Sequence, residues 1–82
     1  RASDGYYRAV ILPHVLTALQ SVGTDEMEDT DDAHQFCKRK FNKGKTTSTM
    51  PDAEFNRYTE KMCRWVAEDF HMTIPQPEKF VR

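Results

Sequence analysis

Glycine is scarce in this chain, with three residues in all, and no glycine-rich phosphate loop can be assembled from them. Gly44-Lys45-Thr46-Thr47 lacks the upstream glycine of a Walker A sequence, so its likeness to one carries no nucleotide chemistry. Cysteine is nearly as rare. Cys37 and Cys63 are too few for a disulfide framework, and with no secretion-signal pattern in the opening residues a reduced, cytoplasmic setting is expected. Long apolar runs are missing too. The longest uncharged stretch, Ala9 to Leu19, is interrupted by Pro13 and His14, which argues against a membrane span. Nor does one sign of charge dominate. Twelve Lys and Arg stand against 13 Asp and Glu, which excludes a histone-like polycation and an acidic disordered tail. The 82 residues suffice for one small domain. A chain that opens on Arg1 and closes on Arg82 is expected to be a fragment of a longer one.

The balanced total conceals segregation. Residues 24–32 carry −6 and residues 33–50 carry +5, so acid and base are separated by about one helix. Three helices are expected around these segments. The first spans about 4–22, capped by Ser3 or Asp4, stopped at Gly23 and kinked at Pro13. Its apolar arc, from Tyr7 through Leu12, Val15 and Leu19 to Val22, is wider than one buried face needs. Either that helix is central or a second copy of the chain covers part of it. Tyr6 falls on the narrow polar strip with Pro13, His14 and Thr17.

The second helix spans about 31–42, with Thr30 as cap and Asp31 and Asp32 in the first turn. Ala33, Phe36, Cys37 and Phe41 share a face, and Lys40 falls unexpectedly within it, either snorkelling or reaching a partner. The third, about 51–70, begins at Pro51 and carries Phe55, Tyr58, Met62, Cys63, Trp65, Val66 and Phe70 inward. Residues 71–82 form an extended tail with Pro75 and Pro77. The fold class expected is thus mainly α, a three-helix domain with a short proline-containing tail.

No catalytic constellation is visible. The acids from Asp25 to Asp32 lack the alternation and distant Glu of an EF-hand, and both cysteines fall on apolar faces. His34-x-x-Cys37 has no second ligand pair, so no metal and no cofactor are expected. What remains is cationic. Lys38, Arg39, Lys40, Lys43 and Lys45 crowd eight positions without an acid, which suits either the negative end of a helix dipole or a phosphate backbone. Arg1 and Arg8 flank Tyr6, whose ring is placed to stack on an exposed base.

Three blocks extend this reading. They are Tyr6-Tyr7-Arg8-Ala9-Val10-Ile11-Leu12-Pro13, then Ala33-His34-x-x-Cys37-Lys38-x-x-Phe41, and a closing block. The last comprises Ser48-Thr49, Glu54-Phe55-x-x-Tyr58, Arg64-Trp65-x-Ala67-Glu68 and Ile74-Pro75-x-Pro77. In this order they resemble the phage-encoded NinB-type recombination accessory proteins. The resemblance implies a non-enzymatic protein that binds single-stranded DNA and helps load recombinases, here represented by its C-terminal part. Where that family commonly carries a Gln-Asn pair before the aromatic pair, this chain has Ser3-Asp4-Gly5. The expected DNA contacts are Arg1, Tyr6, Arg8, Lys38, Arg39, Lys40, Lys43 and Lys45. The alternative is a protein-interaction or homo-oligomerisation module that uses helix 1 without touching DNA.

Overall fold

The computed structural model describes residues 2–23 and 27–75, so Arg1, the acids Asp25 and Glu26 and the tail from residue 76 onward lie outside it. It is mainly helical, as expected, with three helical rods and no strand among the described residues. The first rod, α1, is continuous but not uniform. An α-helical turn, Ala2–Tyr6, leads into a π-helical stretch, Tyr7–Ile11, and an α-helical stretch, Leu12–Ser21. Pro13 explains the change. It has no N–H to return to the Ala9 carbonyl, and an α-helix can absorb a missing donor by widening one turn. The Leu12 N–H accordingly reaches back five residues to the Tyr7 carbonyl. The His14 ring then takes up a carbonyl in the widened turn, its Nδ1 donating to the Val10 oxygen at 2.7 Å. In place of the expected simple kink stands a π turn that starts at Tyr7.

The rod ends at Gly23, whose φ of +80° only glycine adopts freely. Helix α2, Thr30–Phe41, begins one residue before the expected start. Asp29, in place of Thr30, is its cap: the Asp29 carboxylate accepts from the Asp32 N–H, and the Asp32 carboxylate accepts from the Asp29 N–H. Helix α3, Asp52–Phe70, starts one residue later than expected, with Pro51 as its cap residue in place of its first helical one. It stops at His71, a non-glycine residue in the left-handed region with φ 56°. That conformation costs an L-residue roughly 1–2 kcal/mol. His71→Gly is therefore expected to stabilise the domain by about 0.5–1 kcal/mol, read as a higher thermal midpoint. An unchanged or lower midpoint would show that the His71 backbone carries no strain.

The wide arc of α1 is covered within the chain itself. Tyr7, Ile11, Leu12, Val15 and Ala18 are at most 1% exposed, packed against Ala33 and Cys37 of α2 and Phe55, Tyr58, Met62 and Val66 of α3. Among the described residues Val22 is the exposed large hydrophobic, at 62%. The arc is wide because α1 is central, so it supplies no reason to invoke a second copy of the chain. Met27 closes the core on one side, where its carbonyl accepts from Gln20 Nε2.

The tail closes the other side and corrects the reading of Tyr6. Ile74 is buried at 3%, and the Tyr6 hydroxyl donates to the Pro75 carbonyl at 2.5 Å. Tyr6 is itself only 8% exposed. Its place on the polar strip turned it toward the returning tail, so its ring is not free to stack on a base. The aromatic residues expected in the core divide. Phe55 is fully buried, whereas Phe36, Phe41, Trp65 and Phe70 are half-buried and pack against the outside of the core.

Candidate nucleic-acid interface

Helix α2 distributes its cations around its circumference, because successive side chains rotate by about 100°. Lys38 lies one turn beyond His34 on the side facing α1, where the Arg8 guanidinium carbon sits 5.9 Å from the Tyr7 ring centroid. Arg8 and Lys38, far apart in sequence, thus converge on His34, and the positive charge of each opposes its protonation. Lys40 turns toward α3. Its ammonium lies 5.4 Å from the Trp65 ring centroid and 5.6 Å from that of Phe41. That contact answers why a lysine falls on the apolar arc: its cation rides on aromatic faces. Arg39 is exposed on the outer side.

Lys43 and Gly44 both adopt positive φ, and the Gly44 N–H returns to the Lys38 carbonyl at 2.8 Å, closing the helix end. The connector beyond is held by Asn42, whose Nδ2 donates to the Lys45 carbonyl at 2.9 Å. Exposed Lys43 and Lys45 project from this turn. Among the described residues, none of Lys38, Arg39, Lys43 and Lys45 forms an ion pair with a carboxylate.

Beside this basic end lies an aromatic cluster. Phe36 stacks on Trp65 at 5.7 Å with an interplanar angle of 24°, while Phe41 and Phe70 meet the same indole edge-on at 5.7 and 5.2 Å. All four rings are half-buried. Phe41 also walls a groove between the end of α2 and the first half of α3. The groove has a volume of about 180 Å³, and Met50, Glu54, Arg57 and Lys61 share its lining. A shallower recess of about 440 Å³ continues past Asn42 and Met50 to Lys45. Arg57 and Lys61 lie on the exposed side of α3. Their spacing of four residues is visible in the sequence, but the wall opposite them comes from α2 and the connector.

A second polar feature, beneath the surface, was not foreseen. Tyr7, His34 and Tyr58, one from each helix, form a hydrogen-bonded chain. The Tyr7 hydroxyl lies 2.6 Å from His34 Nδ1 and 2.9 Å from the Tyr58 hydroxyl. All three residues are buried, and no buried side-chain N or O among the described residues is left without a partner. The 2.6 Å spacing suits an O–H donor, since N–H···O bonds centre on about 2.9–3.0 Å. We therefore assign Tyr7 as donor to Nδ1 and Tyr58 as donor to Tyr7, which leaves the imidazole proton on Nε2.

Burial dominates the acid–base behaviour of these groups. It pushes the Tyr7 phenol far above its ordinary value, helped by the Tyr58 hydrogen bond. Burial likewise takes Tyr58 up to about 12 against the opposing pull of Tyr7. Desolvation holds His34 below its usual 6.5, reinforced by Arg8 and Lys38 and opposed by Asp31. The Cys37 thiol is pushed up to about 12 by burial, with Lys40 opposing, and so is held as an unreactive thiol in the core. Half-buried Cys63 is raised in the same way, against a hydrogen bond with Tyr6. The sequence signal for the buried chain was present in part. Tyr7 and Tyr58 lie on apolar faces, where each hydroxyl needs a partner.

Compared with known proteins, the chain matches no family model, no curated protein and no solved structure. No helix among the described residues is long and apolar enough to cross a membrane.

Proposed function

We propose that this domain binds single-stranded DNA without catalysing a reaction, as an accessory factor in DNA recombination or replication. The observation that carries the reading is the surface at the end of α2. There, among the described residues, Lys38, Arg39, Lys43 and Lys45 stand without ion-pair partners beside the half-buried Phe36, Phe41 and Trp65. Cations that track a backbone, next to rings that accept a base, are what a single strand requires. Arg8 adds a cation on the α1 side, since its charge and that of Lys38 both act on His34. Tyr6 has no part in the interface, and the stacking role passes to Phe41, whose ring lines the groove beside α3. The recombination setting follows from the resemblance of the three sequence blocks.

The test is a titration of a labelled oligodeoxythymidine at rising salt. With about four phosphates neutralised, the slope of log affinity against log salt is expected near −3, from about −0.7 per phosphate on a single strand. The triple variant Lys38→Glu/Arg39→Glu/Lys43→Glu is expected to bind too weakly to measure. Absence of binding at low salt, or an affinity indifferent to salt, would sink the proposal.

A further inference from the structure

We propose that the groove between α2 and α3 seats one nucleotide of the bound strand, with its base against Phe41 and Met50 and its phosphate on Arg57 and Lys61. The inference rests on the single-strand reading and gives it a definite place. Phe41 and Met50 are half-buried and form an apolar wall at one side of the groove. Opposite them Glu54, Arg57 and Lys61 follow one another along one face of α3, at spacings of three and four residues. All three are exposed, and among the described residues neither cation is tied up in an ion pair. Asn42 keeps the wall in position, since its Nδ2 is committed to the connector carbonyls of Lys45 and Thr46. The groove itself is small, about 180 Å³, but it shares Asn42, Met50 and Glu54 with the adjoining recess of about 440 Å³, and the two together give the room that small-molecule sites of roughly 300–1,000 Å³ require.

The order of charges along α3 sets the orientation. Glu54 repels a phosphate and accepts hydrogen bonds from N–H groups, so the base edge lies at its end of the groove. The phosphate lies one to two turns on, at Arg57 and Lys61, where a planar guanidinium can hold two oxygens at once. A carboxylate also discriminates among bases. Guanine offers it two parallel N–H donors on one edge, whereas thymine offers one N–H between two carbonyls. The groove therefore favours guanine over thymine, in contrast to the basic end of α2, which is indifferent to sequence.

The experiment is a nuclear magnetic resonance titration of the isotopically labelled chain with deoxyguanosine monophosphate and, separately, thymidine monophosphate. Shifts are expected at Phe41, Met50, Glu54 and Arg57, with affinity for the guanine nucleotide about tenfold higher. Glu54→Gln is expected to narrow that ratio. The double variant Arg57→Glu/Lys61→Glu should weaken an oligonucleotide by about tenfold or more at low salt with the circular dichroism spectrum unchanged. Equal affinity for the two nucleotides, or shifts confined to other residues, overturns the proposal. Oligonucleotide binding that survives in Arg57→Glu/Lys61→Glu but is lost in Lys38→Glu/Arg39→Glu overturns the groove alone. Failure of the parent chain to bind any oligonucleotide overturns both readings together.

Discussion

Tyr7→Phe is expected to destabilise the domain by about 2–4 kcal/mol, although it removes a single oxygen atom. That oxygen joins two buried partners. Without it His34 Nδ1 loses its donor at 2.6 Å and the Tyr58 hydroxyl loses its acceptor at 2.9 Å, both inside a core that water does not enter freely. Each buried polar group left unsatisfied costs roughly 1–3 kcal/mol, more than the hydrogen bond contributes net when intact. The ring contacts survive the substitution, since the edge-on packing of Tyr7 against Phe55 at 5.4 Å needs only the ring. Tyr58→Phe is the control. It leaves the Tyr7 donation to His34 in place and is expected to cost about 1 kcal/mol. A chain of this length is stable by roughly 4–12 kcal/mol, so the Tyr7 change removes a large share of the total. Urea unfolding followed by circular dichroism at pH 7.5 measures both variants. Equal, small losses for the two would mean that the three side chains do not act as one network.

The contrast between what periodicity showed and what it concealed has a physical basis. Ala33 and Cys37 of α2, and Phe55, Tyr58, Met62 and Val66 of α3, are buried where a helical repeat places them. Gly23 ends α1 where a positive φ is required, as the sequence implied. These are local properties, decided by residues within a turn or two of one another. Tyr6 was misplaced because its partner, the carbonyl of Pro75, is 69 positions away, and a polar strip on a helical wheel does not reveal that a tail returns to it. Pro13 was recognised as a break, but whether a helix answers a missing donor with a kink or with a π turn depends on packing around the widened turn. The basic run was legible as composition. Its division among three directions, with Lys38 on the His34 side, Lys40 on Trp65 and Arg39 outward, follows from rotation about α2 and from which neighbour occupies each side. The groove was least legible, because its apolar wall and its charged wall belong to different segments.

Acidification is expected to weaken the fold through His34. In the unfolded chain this imidazole takes a proton near its ordinary 6.5, whereas in the fold it does so only at lower pH. Desolvation is the main cause, Arg8 and Lys38 add to it, and Asp31 works against it. Between the two values the unfolded chain holds more protons than the folded one, so stability rises with pH across that interval. The contribution is fully present above 6.5 and is lost as pH falls from there toward the folded value. One proton limits the slope to about 1.4 kcal/mol per pH unit. The geometry gives the penalty its mechanism. A proton added at Nδ1 faces the Tyr7 O–H at 2.6 Å, so Tyr7 must turn its own proton to Tyr58, whose hydroxyl then has to find another acceptor. Midpoints of urea unfolding at pH 8 and pH 5 measure the loss. His34→Asn, whose side-chain oxygen can accept from Tyr7 but cannot titrate, is expected to flatten the dependence between pH 7 and pH 5. A parent chain as stable at pH 5 as at pH 8, or a His34→Asn variant with an undiminished slope, would remove His34 as the source. The same linkage reaches the surface, because Arg8 and Lys38 depress His34 and are also proposed phosphate contacts. A strand that neutralises them is expected to raise the pKa of His34, so binding near pH 6 should take up protons, and uptake should vanish in His34→Asn.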